Sequence, residues 1–597
     1  MRSWTWGPEL LPGEGTRFRL WAPAQTEVAV RHGGGEHAMG RGGAGWFELV
    51  LTDARPGDDY AFVLSDGMAV PDPASRAQAG DVHGSSRLVD PAAYAWREAA
   101  WAGRPWEEAV ISEIHVGTFT PEGTFRAAIE RLDHLARTGI TAVELMPVAQ
   151  FAGERGWGYD GVLPYAPHRA YGAPDDLRAL VDAAHQRGLM VLLDVVYNHF
   201  GPDGNYLHAY APDFYDADRE TQWGAGIAYG RPEVRAFFVE NALYWLEEFR
   251  LDGFRFDAVD QIRDPGSDPE LLVEIAERIR AHDFGRPIHL TTEDNRNITG
   301  LHERSPGGAV TLYTAEWNDD FHNVAHVVAT GETEGYYADF AERPHAALAR
   351  CLAEGFAYQG EPTPAGEPRG HPSGHLPPVA FVDFLQNHDQ TGNRAFGERL
   401  IALAPQARLR ALTAVFLLSP QIPLLFMGEE WGETRPFAFF TDFHGELADA
   451  VREGRRREFA GFAAFEDPAM RAAIPDPNDP GTFLACKLDW ARPGTDEGRA
   501  WLELTTDLLA IRHRKIVPRL AGTGGNAGRV LQAPDHVVAV DWRLDGATLA
   551  MRANLGDGDA TVPPAPGAVL YASHGGAPDA PLRADAVRVT LDLDAQP

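Results

Sequence analysis

The sequence predicts an α/β protein, a (β/α)8 TIM barrel with an all-β module on each side. In the middle of the chain, apolar strand-like runs alternate with amphipathic helical stretches, which is the pattern of a parallel barrel. Several of these runs end in an acidic residue, at the edge where barrel enzymes carry their active sites. At both ends of the chain, short alternating runs broken by Gly and Pro are typical of small β modules.

Size and charge narrow the range of functions. The chain has 597 residues, 44% of them hydrophobic and 10% aromatic, which is enough for several domains with large cores. There are 86 acidic residues against 53 Lys and Arg, for a formal net charge of −33. A field of that sign repels phosphate backbones and anionic lipids, so we expect neither nucleic acid nor membrane as a partner. A neutral ligand such as a sugar meets no such repulsion.

Cysteine content and the N-terminal text favour the cytoplasm. The two cysteines, Cys351 and Cys486, are too few for a disulfide-stapled secreted scaffold. The first residues lack a basic segment followed by an apolar stretch and a small-residue cleavage site, so no signal peptide is expected. No apolar run reaches the roughly 20 residues that a membrane span requires.

The chain divides into three predicted units. Residues 1–95 contain RFRLWAP, EVAVRH, WFELVL and YAFVLS separated by Gly- and Pro-rich turns, which predicts a β-sandwich resembling a carbohydrate-binding accessory module. Residues 105–515 form the catalytic barrel, with insertions near 200–230 and 355–378. Residues 525–597 return to alternating runs and predict a C-terminal β-sandwich.

Eight strands are predicted for the barrel. An open doubly wound sheet is less favoured, because no Gly-rich phosphate turn follows the first strand. Several of the intervening helices begin with Pro at a plausible first turn. The predicted strands are Val110–Val116, Ile140–Pro147, Met190–Val196, Gly253–Val259, Ile288–Thr292, Val310–Thr314, Val379–Leu385 and Ile422–Met427. The predicted helices are Thr124–Arg137, Pro174–Arg187, Pro232–Arg250, Pro269–His282 and Pro405–Leu418.

Four acids lie at or just past strand ends: Asp194, Asp257, Glu293 and Asp389. Taken singly, each could be a helix cap, an ion-pair partner or a solvated loop residue. Together they are expected to converge at one mouth of the barrel. Converging carboxylates without a metal-ligand cluster are the minimal equipment for cleaving a glycosidic bond.

Such a mechanism requires one carboxyl group that is ionised and one that keeps its proton. Strand alternation places Arg255 on the same face as Asp257, so the arginine is expected to hold that carboxylate ionised. Glu293 has no cationic neighbour on its own strand and should lie near two other carboxylates. We therefore expect a raised pKa for Glu293, as a general acid requires.

Other polar residues near the strand ends have weaker signals. His199 and His388 could donate hydrogen bonds to sugar hydroxyls, although a histidine taken singly is more often structural. Tyr159 could stack on a sugar ring or could be a core tyrosine. A zinc site is not favoured, since neither HxH nor HExxH spacing occurs. The loop Trp317–Asn323 could face the cleft or could cap a helix.

Four short segments resemble the α-amylase superfamily, glycoside hydrolase family 13. They are DVVYNH (194–199), GFRFDAV (253–259), TTEDN (291–295) and FLQNHD (384–389). The resemblance implies that Asp257 is the nucleophile, Glu293 the acid/base and Asp389 the transition-state stabiliser. It also implies that Arg255, His199, His388 and Tyr159 line the subsite of the sugar being cleaved.

Longer strings, among them ISEIHVGTFTPEGTF and FLQNHDQTGNRAFGERL, are similar to the maltooligosyltrehalose trehalohydrolases within that superfamily. This implies hydrolysis of the α-1,4 bond next to a terminal trehalose unit, with maltooligosyltrehalose or a related α-1,4-glucan as substrate. Glycogen branching enzymes, which are transferases, are the alternative. Neither a cofactor nor a metal ion is expected. The substrate contacts implied by the resemblance include Asp194, Asp260, Asn318, Asp319, Asp320, His322 and Asn393.

Overall fold

Eight parallel strands close into a barrel in the middle of the chain, and the last strand pairs with the first. The computed structural model describes residues 4–465, 467–575 and 580–594. The (β/α)8 prediction is confirmed. The barrel strands, in order, are Ile111–Ile114, Ala142–Leu145, Met190–Val195, Gly253–Phe256, His289–Thr292, Ala315–Trp317, Phe381–Asp383 and Ile422–Phe426.

The predicted sixth strand is wrong. Val310–Thr314 was the nearest apolar run, but the strand is Ala315–Trp317, and Val310 forms only an isolated bridge with Arg304. The observed strand carries a buried acid, Glu316, which lies 3.2 Å from His302. A charged side chain inside a three-residue strand removes the apolar signal on which the sequence reading depends.

Two of the predicted helices begin at their Pro residues, Pro174 and Pro232, since the fixed φ of proline suits the first helical turn. The predicted helix Pro269–His282 begins only at Leu271, and the predicted helix Thr124–Arg137 is divided into two. The described α-helices are Val116–Phe119, Phe125–Ile129, Leu132–Thr138, Pro174–His185, Leu207–Tyr210, Pro232–Glu248, Leu271–Arg280, Asp319–Thr330, Pro344–Glu354, His388–Gly392, Leu400–Leu403, Gln406–Leu418, Gly445–Glu458, Pro468–Ala472, Pro480–Ala485 and Asp496–Ile511. None of them is long and apolar enough to cross a membrane.

The N-terminal module consists of two antiparallel sheets packed face to face, with Phe18 of one meeting Tyr60 of the other at 4.9 Å between ring centroids. The module is docked on the barrel, because Trp6 packs against Phe237 at 5.0 Å. The first sheet contains Glu9–Leu11, Gly15–Trp21, Trp46–Leu51 and Gly40–Arg41. The second contains Gly35–Ala38, Val28–His32, Asp59–Leu64, Ala69–Val70 and Ser86–Arg87.

The C-terminal module is all-β, as predicted, but differs from a sandwich of two sheets. Its described residues form one five-stranded sheet, which contacts the barrel helices Pro344–Glu354 and Gln406–Leu418. Trp542 of this sheet donates a hydrogen bond to the Leu352 carbonyl at 2.8 Å. The barrel helices therefore cover one face of the sheet. In sheet order the strands are Gly528–Val530, Val537–Leu544, Ala547–Asn554, Ala586–Leu593 and Ala568–Ala572.

Long connections build the walls around the barrel mouth. The insertion near 200–230 contains a hairpin of Tyr215–Thr221 and Gly224–Ile227, and a smaller hairpin pairs Ala149–Gln150 with Leu163–Pro167. The segment after the eighth strand, which carries the helix Gly445–Glu458, is a further wall that the sequence did not indicate.

Candidate active site

Arg255 lies at the centre of the carboxylates at the barrel mouth. Its Nη1 donates to Asp257 Oδ1 at 2.7 Å and to Asp194 Oδ2 at 2.8 Å. Its Nη2 lies 3.4 Å from Glu293 Oε2. One guanidinium thus joins acids at the C-terminal ends of the third, fourth and fifth strands. The contact with Asp257 confirms the shared face predicted from strand alternation.

Both carboxylate oxygens of Asp257 are held. Oδ1 accepts from Arg255, and Oδ2 accepts from Asn198 Nδ2 at 3.1 Å. Two charge-assisted or amide donors fix the plane of the carboxylate. The side chain is nevertheless 14% exposed, so a ligand in the cleft can reach it.

Glu293 is held by a backbone donor. The Ala258 N–H donates to its Oε2 at 2.8 Å, and Ala258 has φ 41° and ψ 53°, a left-handed conformation that is strained for a residue with a Cβ. The turn after the fourth strand therefore aims its amide at the end of the fifth strand. The Glu293 side chain is 21% exposed.

The pKa of Glu293 is raised well above its ordinary value, first by burial and then by the charges of Asp257 and Asp319. The direction agrees with the sequence prediction, but the reasoning requires correction. Arg255 on the neighbouring strand is a cation next to Glu293 and opposes the shift, as does the Ala258 amide. Removal from water outweighs both.

Asp389 reaches the same mouth from a short helix, His388–Gly392. Its Oδ1 accepts from Asn393 Nδ2 at 2.6 Å. Across the gap, Gln390 Nε2 donates to Asp319 Oδ1 at 3.1 Å. Burial raises the pKa of Asp389, and burial together with the Asp389 charge raises the pKa of Asp319 to about 6. The Asp319 charge also acts on Glu293, so these residues belong to the same acidic cluster.

Tyr159 connects the two sides of the mouth. Its hydroxyl donates to Asp194 Oδ2 at 2.5 Å and lies 2.8 Å from His388 Nε2. The rings of Tyr159 and His388 stack with centroids 5.0 Å apart. Burial raises the pKa of Asp194 to about 6, a shift that the Arg255 charge opposes.

His199 lies beneath an aromatic residue of the 200–230 insertion. Its Nε2 donates to the Tyr159 carbonyl at 2.9 Å, and Trp223 stacks on its ring at 4.3 Å. Trp223 is 39% exposed and forms part of the cleft wall. Asp260 is half-buried, and its Oδ2 accepts from Gln261 Nε2 at 2.5 Å.

Three side chains of the loop after the sixth strand are buried and form hydrogen bonds within the protein. They are Asn318, Asp320 and His322. Asn318 caps the helix Asp319–Thr330 and donates to Asp383 Oδ1 at 2.8 Å. Asp320 accepts the backbone amides of Ala357 and Tyr358, both at 2.9 Å. His322 Nδ1 donates to the Leu385 carbonyl at 2.7 Å. These three side chains thus have supporting contacts, their expected sugar contacts stay predictions, and Asp319 is the member of this loop group that reaches the acidic cluster.

The sequence reading did not single out several side chains of the site. Asn198 lies inside the DVVYNH segment, and Trp317, whose ring lies 4.4 Å from the Arg255 guanidinium carbon, belongs to the sixth strand. Glu113, an acid within an apolar run of the first strand, bonds to His388. An acid inside a fully buried barrel strand is a signal that could have found Glu113.

Among the residues that the structure describes, no group of three or more His, Cys, Asp or Glu side chains is arranged to hold a metal ion.

Comparisons with known proteins agree with this geometry. Residues 106–223 match the alpha amylase catalytic domain family, and residues 525–589 match a domain of unknown function, DUF3459. Malto-oligosyltrehalose trehalohydrolase of Deinococcus radiodurans is 45% identical over 85% of this chain and 82% of its own length. The enzyme of the same name from Arthrobacter ramosus is 43% identical over 83% of this chain and 87% of its own length.

The chain belongs to the malto-oligosyltrehalose trehalohydrolase family. It is a glycoside hydrolase of the α-amylase superfamily. The 1,4-alpha-glucan branching enzyme GlgB of Corynebacterium efficiens is more distant, at 29% identity over 74% of this chain and 64% of that protein.

Solved structures give the same fold. The crystal structure of a Salmonella typhimurium protein assigned as an alpha amylase superposes with a TM-score of 0.96, at 55% identity over 99% of this chain and 100% of that one. A pullulanase from Paenibacillus barengoltzii, solved with maltohexaose and alpha-cyclodextrin, has a TM-score of 0.72 at 22% identity, covering 100% of this chain and 96% of that one. The second likeness concerns the fold alone.

Proposed function

We propose that this chain hydrolyses the α-1,4-glucosidic bond next to the terminal trehalose unit of maltooligosyltrehalose and releases trehalose. The observation that carries the chemistry is the Arg255 guanidinium joined to Asp257 and Glu293 at the mouth of the barrel. The support for the substrate is the family to which the chain belongs.

Glu293 is the proposed general acid. Because burial raises its pKa, its carboxyl group keeps its proton to a higher pH than an exposed glutamic acid does and can transfer it to the glycosidic oxygen as the bond breaks. The Ala258 amide and Arg255 hold one oxygen, Oε2, which orients the carboxyl group for that transfer.

Asp257 is the proposed nucleophile. Its carboxylate attacks the anomeric carbon while the sugar oxygen leaves with the proton of Glu293, and a covalent glycosyl-enzyme forms. Water then loses a proton to the ionised Glu293 and attacks the anomeric carbon, which frees Asp257 and restores the acid. Two inversions retain the anomeric configuration.

Asp389 is the proposed stabiliser of the transition state. The oxocarbenium-like sugar gains positive charge, and Asp389, Asp194 and Asp319 surround the position with negative potential. Asn393 anchors Asp389 at 2.6 Å. Tyr159, His199 and His388 form the proposed floor of the cleaved sugar's subsite, with Trp223 as its edge.

Product analysis tests the proposal. The enzyme is incubated with maltooligosyltrehalose and, in parallel, with a plain maltooligosaccharide of equal length, and the products are separated by chromatography. We expect trehalose and a shorter maltooligosaccharide from the first substrate, and much slower turnover of the second. Proton NMR of the first-formed product should show the α anomer.

The competing reaction has a distinct readout. A branching enzyme would change the iodine-staining spectrum of amylose and release little free sugar, and that result would overturn the hydrolase proposal. Inverted product would overturn the nucleophile assignment and leave hydrolysis intact.

We also propose a cytoplasmic location. Both cysteines, Cys351 and Cys486, are free thiols buried in the structure, which suits a reducing compartment. Cell fractionation with an antibody against the chain tests this, and recovery outside the cytoplasm would contradict it.

A further inference from the structure

We propose that Glu113, on the first barrel strand, is a positioning residue that holds His388 as a cation in one fixed orientation. His388 then directs the hydroxyl of Tyr159 toward Asp194. The proposal deepens the proposed function, and its predicted effect on kcat/KM rests on that function. The protonation and orientation of His388 do not depend on which substrate the enzyme takes.

One carboxylate takes two hydrogen bonds from the same residue. The backbone N–H of His388 donates to Glu113 Oε2 at 2.8 Å, and its ring Nδ1 bonds to Glu113 Oε1. Glu113 is 1% exposed and His388 is 3% exposed. A carboxylate that holds both the backbone and the ring leaves the imidazole no freedom to rotate, and a buried carboxylate is stable as an ion only with such a partner.

The charged groups around His388 favour its protonated form. Burial alone would lower the pKa of His388, but the Glu113 carboxylate and then the Asp389 charge outweigh it, and the net shift is upward. Arg255 opposes the shift. The Tyr159 hydroxyl lies 2.8 Å from Nε2, and His115 and Asp194 are further titratable groups whose charges interact with that of His388. The indole of Trp157 meets the ring edge-on at 5.7 Å.

The protonation of His388 sets a direction for the hydrogen bonds beyond it. With protons on both ring nitrogens, Nε2 donates to the Tyr159 oxygen, which leaves the Tyr159 proton free to go to Asp194. Asp194 then accepts from Tyr159 and from Arg255 Nη1. Since Arg255 also holds Asp257, Glu113 acts through His388 on the alignment of the proposed nucleophile.

Glu144 is a matched comparison within the same barrel. It pairs directly with Glu113 across the first two strands and is also 1% exposed. Within the described part of the chain, neither oxygen of Glu144 has a hydrogen-bond partner. Burial raises its pKa well above the ordinary value, and the Glu113 and Asp194 charges add to the shift. A neutral Glu144 is nearly isosteric with glutamine, so Glu144→Gln should change little.

The kinetic test compares Glu113→Gln with Glu144→Gln through kcat/KM as a function of pH. In Glu113→Gln, the fall in activity that follows loss of the His388 proton should move to lower pH, separate from the fall that follows loss of the Glu293 proton. At a fixed pH above the lowered pKa of His388, kcat/KM should fall roughly tenfold for each unit by which that pKa drops. Glu113→Asp, which keeps the charge, should recover part of the loss. The Glu144→Gln profile should match the wild type.

An NMR titration of His388 tests its proposed protonation state without any substrate. The His388 signal in the full-length protein is identified by its absence in His388→Gln, and its chemical shift is followed with pH. We expect His388 to stay protonated to higher pH in the wild type than in Glu113→Gln. The same titration midpoint in both would overturn the proposal, even if trehalose release is observed.

Should Glu113→Gln fail to fold in thermal unfolding, the wild type and Glu113→Asp still give an answer. A His388 that is neutral across the neutral range in the wild type would overturn the proposal. A correct titration together with no trehalose release would instead contradict the proposed substrate and leave the role of Glu113 intact.

Discussion

The ends of the fourth and sixth barrel strands look alike in sequence and differ in use. FRFDAVD and WNDDFHN both place acids just past a strand. After the fourth strand, Asp257 is 14% exposed and faces the cleft. After the sixth strand, Asp320 is fully buried and accepts the amides of Ala357 and Tyr358, which anchors the 355–378 insertion. Acids at strand ends are therefore only candidates, and exposure and existing partners decide which of them can meet a ligand.

Asp257→Asn tests the catalytic role of the acid after the fourth strand and has the largest expected effect. The amide cannot attack the anomeric carbon, and we expect kcat/KM for trehalose release to fall by a factor on the order of 10⁴ or more. Asp213→Asn, a change of the same kind at a half-exposed acid that pairs with Arg231, should retain wild-type activity. Activity of Asp257→Asn within tenfold of the wild type would sink the assignment.

Glu293→Gln should lower the rate less than Asp257→Asn does, and it should change the pH dependence of activity. Loss of the general acid is expected to lower kcat by roughly 10²–10⁴-fold. In the wild type, activity should fall as the pH rises through the raised pKa of Glu293, because the acid form is then lost. The variant should lack the fall that is due to Glu293 and keep the one that is due to His388.

Glu293 also links activity to stability. Its folded-state pKa lies above the unfolded value, so its contribution to folding is fully present below about pH 4.3 and is lost as the pH rises through the folded pKa. Glutamine cannot ionise. The Tm of Glu293→Gln should exceed that of the wild type near about pH 8 and approach it near about pH 4. A variant less stable than the wild type at the higher pH would contradict the raised pKa.

Asp320→Ala tests the structural role of the buried acid after the sixth strand. Removal of the carboxylate leaves the Arg369 guanidinium, the Asn297 amide and two backbone amides without their acceptor, so we expect unfolding free energy to drop by about 3–5 kcal/mol. Denaturant titration measures it. Asp339→Ala is the matched control, since Asp339 lies 3.8 Å from the same arginine but is 34% exposed; its cost should be below about 1 kcal/mol.

Asn318→Ala should have the smallest effect. Loss of the N-cap is expected to lower unfolding free energy by about 0.5–2 kcal/mol, and loss of the donor to the buried Asp383 carboxyl group adds to that cost, with kcat/KM nearly unchanged. Thr495→Ala, which removes the cap of the helix Asp496–Ile511, is a comparison at a distance from the site. If Asn318→Ala loses far more activity than Thr495→Ala at equal stability, the sixth-strand loop contacts substrate after all.

The fold was largely readable from the sequence, because barrel strands buried on both faces produce continuous apolar runs. The same rule explains the failure at the sixth strand, where Glu316 interrupts the run. It also explains why Glu113 was overlooked, since a strand reading counts apolar residues and does not ask what an internal acid contacts. The wall carried by Gly445–Glu458 lacked any strand-end signal that would place it near the mouth.

Local patterns in the chain were sufficient to indicate the barrel, the set of candidate acids and the pairing of Arg255 with Asp257, because strand alternation and strand-end position depend on near neighbours in sequence. Only the tertiary structure decided which acids are exposed, that Arg255 also contacts Glu293, and that Glu113 is bonded to His388 while Glu144 is left unpaired among the described residues. Burial and charge contacts join residues that are distant along the chain, and they set each carboxyl group's protonation and access.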